Sequence, residues 1–546
     1  MERAELEMGS AAVTDTIADI ETNEYGEEIM VGPRYISIDR EQDSLSFVSN
    51  RATYDYSRNI LRGSNVTFLR VADAYIYPGD GEVFIDPDGV MEELIEATIV
   101  ANREMKEHRF YNATVQVLGQ FSYTATGYHD YVNETGEPQS IYFHEISVDD
   151  SINTIAEGII GIDQYFTLSP YFSFQGNVEV YARKTFLTFN GGAGVIHDCD
   201  IYEDTYLKFR AEIDPAFVYI PVPEQPFDID MNYTYAGLFI AGDSVNIYPA
   251  FLSRKRLPRD QYLITSSGIL YYDRQSDEYR ISSREKLRYP DRPPGNLLRF
   301  SRNDCVVNGE GKISTGVRPG QVRISSVGNV THNLNTKETE LNVTFALNFF
   351  MSDDAFEIMA AEIDAMPTLA AVDLATPLYV KNLQELIGRE RTEKYQTELG
   401  LYGEYQSSVP ELTHTLFITN VKLVWNQLTR SYRSAGKISM GSINGDQINK
   451  QLDGYIELTK RRNGDLVDIY LELDRRNWYY FGYTRGVMSV LSSSREFNAT
   501  IKDVKTAKRK MKTPRDEVAY MYSVSDPRKK AMFLRRIQEE DEAPIE

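Results

Sequence analysis

The sequence predicts a mainly β protein: a stacked antiparallel β-solenoid or jelly-roll-like open roll, with a small helical insertion and a helical C-terminus. Three observations carry that expectation. Between Phe166 and Val222 the runs FSFQGNVEVYA, LTFNGGAGVIHDC, TYLKFRAEID and AFVYIPV alternate apolar and polar residues and are each broken by Gly, Asp or Pro, which is how consecutive half-buried strands read. Aromatic usage is skewed to 37 Tyr and 25 Phe against 2 Trp, and Tyr and Phe suit pleated surfaces. Helical periodicity becomes prominent only after Asn342.

Taken in order, residues 1–31 are acidic and weakly periodic, a flexible lead-in. A β-rich repeat region follows over 32–290, with RYISID, SLSFVS, ATYDYS and SNVTFLRVADAYIY as its first strands and Pro78-Gly79-Asp80-Gly81 and Pro87-Asp88-Gly89 as turns. The Glu-rich start of VMEELIEATIVAN predicts at most a short helical turn near Met91. Asn133 to Gly136 predicts a hairpin-like turn. RYPDRPPGNLLRF resets the chain, and 291–342 continues the β pattern. A helical insertion is expected over 343–400: Ser352-Asp353-Asp354 caps a helix whose Phe356, Met359, Ile363 and Met366 share one face, and YVKNLQELIGRERTEKY supplies a second. A second β region spans 401–496. The tail, 497–546, predicts a basic helix over FNATIKDVKTAKRKM and another over MFLRRIQEEDE. The basic run Lys502 to Lys512 reads as a solvated helix face.

A formal net charge of −23 argues against nucleic acid as a partner, since phosphate binding is carried by clustered Lys and Arg. No apolar run reaches membrane-spanning length. The N-terminus lacks a basic region followed by an apolar core, so the expectation is either a cytoplasmic protein or a piece of a longer exported chain.

Cys199 and Cys305 are the only cysteines, too few for a disulfide framework or a thiolate metal site. They are either one bridge in an oxidising compartment or two buried thiols. Each follows an aspartate, Asp198 and Asp304, a few residues after a Leu/Phe strand, and Gly recurs nearby in both segments. That echo suggests a divergent repeat in which the cysteines mark equivalent rungs and need not be bonded.

No catalytic constellation emerges. His108, His129, His144, His197, His332 and His414 show neither HxH nor HExxH spacing and read as lone strand or surface histidines. Asp86, Asp88 and Glu92 have the look of a calcium loop but lack its ligand spacing, leaving a plain turn. Asp228 and Asp230 alternate onto one strand face, where a solvated face is the default and a cation the alternative. NGGAG has no Lys or strand-to-helix context for a phosphate loop, and no GxSxG elbow is present. The expectation is a protein that is not an enzyme and needs no cofactor.

ATYDYSRNILRGSNVTF resembles the repeated unit of OstA-like proteins, the lipopolysaccharide-transport β-jelly-roll group. The likeness is carried by Ala52, Tyr54, Asp55, Leu61, Gly63, Asn65 and Val66, and again by Phe174, Gly176, Asn177 and Val178. From Tyr35 to about Asn335 the pattern is also similar to large uncharacterised envelope proteins of Bacteroidota. The resemblance implies a periplasmic or envelope-associated protein with an apolar β groove that handles lipid or lipopolysaccharide acyl chains, or scaffolds envelope protein partners. The alternative is an extracellular carbohydrate-binding or carbohydrate-cleaving β-solenoid.

Overall fold

The computed structural model describes residues 20–22, 28–30, 33–37, 40–49, 51–200, 205–242, 246–290, 294–406, 409–511 and 519–541. The protein is mainly β, with open antiparallel sheets, a helical insertion and helices at the C-terminus. Two compact units divide it: residues 1–196, 206–221 and 227–231 form unit 1, and residues 197–205, 222–226 and 232–546 form unit 2. The division falls inside the stretch that the sequence presents as one repeat region.

Unit 1 is built on an 11-stranded sheet. Its strands are β1 (Leu69–Val71), β2 (Ala74–Tyr77), β3 (Leu94–Ala101), β4 (His108–Gly119), β5 (Ser122–Val132), β6 (Pro138–Val148), β7 (Thr154–Ile160), β8 (Thr167–Ser169), β9 (Phe172–Tyr181), β10 (Thr188–Val195) and β11 (Leu207–Glu212). Neighbours follow chain order except that β8 pairs only with β9, which itself lies against β7. Alternation sets the faces. In β5, Tyr123, Ala125, His129 and Tyr131 are buried while Thr124, Tyr128 and Val132 are exposed, as period two requires. The inward rings fill the space themselves: Phe189 lies 4.9 Å from Phe174 and 5.4 Å from Tyr131, centroid to centroid, with Phe166 and Phe209 beside them.

The NGGAG run has a steric cause. Gly176 on β9 faces Gly191 on β10, and a Cβ on Gly176, whose φ is +135°, would stand 2.6 Å from the Gly191 Cα. Only glycine permits that approach. Met91, expected in a helical turn, instead makes a β-bridge to Ile85. In the lead-in, residues 1–19 lie outside the described residues, and Ile20–Thr22 pairs with Glu28–Met30 rather than forming only a featureless segment.

Unit 2 has a three-stranded sheet, β12 (Tyr235–Ile240), β13 (Ile247–Ser253) and β14 (Gln261–Thr265). Its large sheet runs in chain order through β15 (Gly268–Asp273), β16 (Glu278–Ser282), β17 (Leu297–Ser301), β18 (Val306–Ile313), β19 (Arg323–Asn333), β20 (Thr339–Asn348), β21 (Leu416–Asn426), β22 (Ser431–Ile443), β23 (Asp446–Thr459), β24 (Leu466–Glu472), β25 (Trp478–Thr484), β26 (Val487–Ser492) and β27 (Met521–Val524). The last pair alone in this series is parallel. Helix α1 (Arg284–Arg288) follows β16.

Three helices, α2 (Asp353–Asp364), α3 (Pro377–Ile387) and α4 (Arg389–Tyr402), are inserted between β20 and β21, which pair directly with each other. Phe356, Met359 and Ile363 of α2 are buried, as its periodicity predicts, whereas Met366 lies beyond the end of the helix and is half-buried, and Ser352 occupies the N-cap position without a side-chain capping hydrogen bond. The second expected helix is in fact two, because Gly388 adopts φ 81° and ψ 162° between α3 and α4.

At the C-terminus, α5 (Arg495–Asp503) stops before most of the basic run, which continues as a 3-10 turn over Thr506–Arg509. The single basic helix expected over FNATIKDVKTAKRKM is therefore shorter, consistent with an acidic residue, Asp503, at the negative end of the helix dipole. Lys512 lies outside the described residues. Helix α6 (Pro527–Asp541) packs Phe533 and Ile537 on Tyr470 and Tyr480, and its Arg536 Nη1 donates to the fully buried Glu457 at 2.8 Å.

Candidate functional site

Gly388 shapes a cavity. By redirecting the chain it sets Tyr379 of α3 and Tyr395 of α4 around one space of about 210 Å³, together with Tyr405, Val409, Leu412 and Phe417. Gly441 of β22 lies in its wall and Gln447 and Asn449 of β23 also line it. The Tyr395 and Tyr405 rings are 4.4 Å apart. Gln447 fixes Tyr405 from both sides: the Tyr405 N–H donates to Gln447 Oε1 at 3.1 Å, and Gln447 Nε2 donates to the Tyr405 carbonyl at 2.7 Å.

Burial pushes the Tyr395 phenol up to about 12, raises that of Tyr405, and holds that of Tyr379 well above its ordinary value. These hydroxyls are neutral at physiological pH. They present hydrogen-bonding tips on apolar walls and are not bases. The arrangement suits an apolar ligand with one or two polar atoms.

The two cysteines are bonded to each other, with Cα atoms 5.5 Å apart and 106 residues between them in sequence. This corrects the register reading of Cys199 and Cys305. Cys199 sits outside the strands, in the 197–205 segment of unit 2, whereas Cys305 lies between β17 and β18; they are not equivalent rungs. Its Leu/Phe strand, with Phe189 on β10, belongs to unit 1. A common local spelling came from two different surroundings.

The histidines divide. His108 and His129 meet in the core of unit 1: His129 Nε2 donates to His108 Nδ1 at 3.4 Å, and His108 Nε2 donates to the Lys184 carbonyl at 2.8 Å. Burial lowers both, His129 to about 4 with His108 adding to the effect. His144 is exposed on β6. His197 packs on Phe300, His414 stacks on Phe417, and His332 is buried on β19.

Asp228 is buried and Asp230 exposed in a turn, so they do not share a strand face. Asp86 Oδ1 accepts from the backbone N–H groups of Asp88 and Val90, a plain turn. Among the described residues no cluster of three His, Cys, Asp or Glu could hold a metal ion, and no helix is long and apolar enough to cross a membrane.

Of the residues of the family likeness, Ala52, Tyr54 and Asp55 lie on the strand Arg51–Asp55 and Leu61 and Gly63 on its neighbour Ile60–Ser64, with Ala52 opposite Gly63 and Tyr54 opposite Leu61. Asn65 and Val66 lie beyond that strand, and Phe174, Gly176, Asn177 and Val178 are on β9. On the outward face of unit 1, Tyr111, Tyr128 and Tyr142 stand opposite one another across three strands, with ring centroids 6.0 and 5.1 Å apart. The chain matches no family model, no curated protein and no solved structure.

The Tyr379–Tyr395–Tyr405 cavity was not anticipated from the sequence. The signal that could have found it is Gly388, which turns one apparent helix into two converging ones.

Proposed function

We propose that this protein is a non-enzymatic, OstA-like envelope component that handles lipid or lipopolysaccharide acyl chains in the periplasm, or scaffolds envelope proteins. The observation that carries the reading is the aromatic cavity beneath α3 and α4, whose apolar walls and neutral phenols match an acyl chain and its ester or hydroxyl group. The inward face of unit 1 is already filled by its own rings, so the ligand space is assigned to unit 2. The bonded cysteine pair supports an oxidising compartment.

Mass spectrometry of an organic extract of the purified chain tests this. Acyl lipid should co-purify, and Thr413→Trp, an exposed position on the cavity lining, should remove it while circular dichroism stays unchanged. Polysaccharide turnover with no lipid in the extract would sink the proposal. That outcome would favour the second reading, a carbohydrate-binding or carbohydrate-cleaving protein, for which the exposed Tyr128 and Tyr142 supply a stacking platform.

A further inference from the structure

A second cavity in unit 2, of about 330 Å³, is chemically unlike the first. It is lined by Arg256, Lys337, His332, Trp425, Tyr248 and Asn246, with Asp200 at 91% side-chain exposure on its border. Its walls are held by a hydrogen-bond frame. The Tyr248 hydroxyl donates to Asp260 Oδ2 at 2.6 Å and accepts from the Arg256 N–H at 3.0 Å, and the Leu257 N–H donates to the same carboxylate oxygen at 2.9 Å. That frame sets the Arg256 guanidinium over the Tyr248 ring, 4.4 Å from its centroid. Lys337 lies in the turn between β19 and β20, its N–H bonded to the Asn333 carbonyl at 2.9 Å and its ammonium 3.9 Å from Asp200.

Two polar groups here are unspent. Trp425 is 8% exposed, and its Nε1–H has no hydrogen-bond partner; the Asn246 Oδ1 is buried without one as well. A buried donor or acceptor left unpaired is costly, and a ligand that supplies the missing partner recovers that cost on binding. His332 adds no charge: burial, with Lys337 and Arg256 contributing, pushes it down to about 4, and its Nδ1 is engaged with the Thr339 hydroxyl at 2.8 Å. The charged side chains of the lining are therefore two cations, Arg256 and Lys337, and one carboxylate, Asp200, beside the Lys337 ammonium. In a chain of net charge −23, such a spot concentrates attraction for anions that the rest of the surface repels.

We propose that this cavity binds a phosphorylated polyol, with the phosphate on Arg256 and Lys337. Arginine and lysine match phosphate oxygens, and the Trp425 and Tyr248 rings in the lining offer surface to the carbon skeleton of an ester. The same chemistry is found in a free sugar phosphate and in a glycerophospholipid headgroup. The inference does not depend on the acyl-chain reading of the first cavity.

Tryptophan fluorescence tests it, because Trp478→Phe leaves Trp425 as the sole reporter. Glucose 6-phosphate or glycerol 3-phosphate should give a saturable change in emission, glucose should give none, and Arg256→Lys or Lys337→Gln should weaken binding by roughly tenfold. Calorimetric titration of the unsubstituted full chain gives the same readout should Trp478→Phe disturb folding. A response to phosphatidylglycerol vesicles alone assigns the lipid headgroup as source, and a response to the soluble esters assigns the free metabolite. No binding of either, or equal binding of glucose, overturns the proposal.

Discussion

In unit 1 rings from neighbouring strands pack on one another: Tyr131, Phe174, Phe189 and Phe209 meet edge to face, and Phe166, just ahead of β8, lies tilted against Tyr131. In unit 2 the sheet is covered partly by helices, and buried ions anchor them. Glu310 of β18 takes Lys286 of α1 at 2.8 Å and Lys381 of α3 at 2.7 Å, while Glu457 of β23 takes Arg536 of α6. Burial alone would raise Glu310, but the two ammonium groups outweigh it and hold its carboxyl below the usual range. The contrast teaches how a sheet acquires layers. Rings need only the alternation of strands, whereas a helix laid on a sheet must be placed, and a directional ion pair places it at the cost of desolvation.

The largest expected effect tests the ring side of that contrast. Phe189→Ala should cost about 4 kcal/mol by removing a fully buried ring at the centre of the cluster. Denaturant unfolding followed by hydrogen exchange should place the loss on β5, β9 and β10; equal loss across unit 2 would break the distinction.

Glu310→Ala should come next, at about 3 kcal/mol, because it removes the carboxylate that pairs with the ammonium of Lys286, which is 2% exposed. Replacing Glu310 with Leu and Lys286 with Met together should restore most of it, and thermal unfolding of the two variants checks both statements. If the double variant stays as weak as the single one, the ions contribute more than placement.

Removing the disulfide, by Cys199→Ser with Cys305→Ser, should cost about 2 kcal/mol and reduce the thermal midpoint without changing the far-ultraviolet spectrum. The smallest net effect comes from two pH slopes of opposite sign, which largely offset each other in the unsubstituted chain. Folded His129 titrates at about 4 against about 6.5 when unfolded, so the unfolded chain binds more protons between those values and stability falls as pH drops through them. Asp468, raised to about 6 chiefly by burial despite the hydrogen bond from Tyr480, does the reverse: its folded form holds the proton from about pH 4 to 6, and stability falls as pH rises through that range. Midpoints measured from pH 4 to 7 should show a flatter acid limb for His129→Gln and a steeper one for Asp468→Asn.

Much of the fold could be read from local pattern, since strand faces and the α2 helix are set by spacing alone. Thr124, Thr126 and Tyr128 alternate outward with Tyr123, Ala125 and His129 inward, and Phe356, Met359 and Ile363 define one helical stripe. What failed did so where distant packing decides. The Asp-Cys pair that Cys199 and Cys305 share in sequence says nothing about the folding that brings their backbones together. The His108–His129 contact arises from β4 pairing with β5, and no ligand spacing in sequence reports it. Both cavities depend on residues from separate elements, Tyr379 with Phe417 in one and Tyr248 with Trp425 in the other, so neither has a contiguous signature.

The chain passes between the two units five times, at 196/197, 205/206, 221/222, 226/227 and 231/232. No single cut can therefore release either unit whole. A fragment ending at Ile196 would lack β11, the strand that pairs with β10 from Thr188 to Ala193, and would present that edge's N–H and C=O groups to any other strand that met them. Proteolytic nicking in 197–231 is accordingly expected to yield pieces that stay together or aggregate, rather than two separable domains.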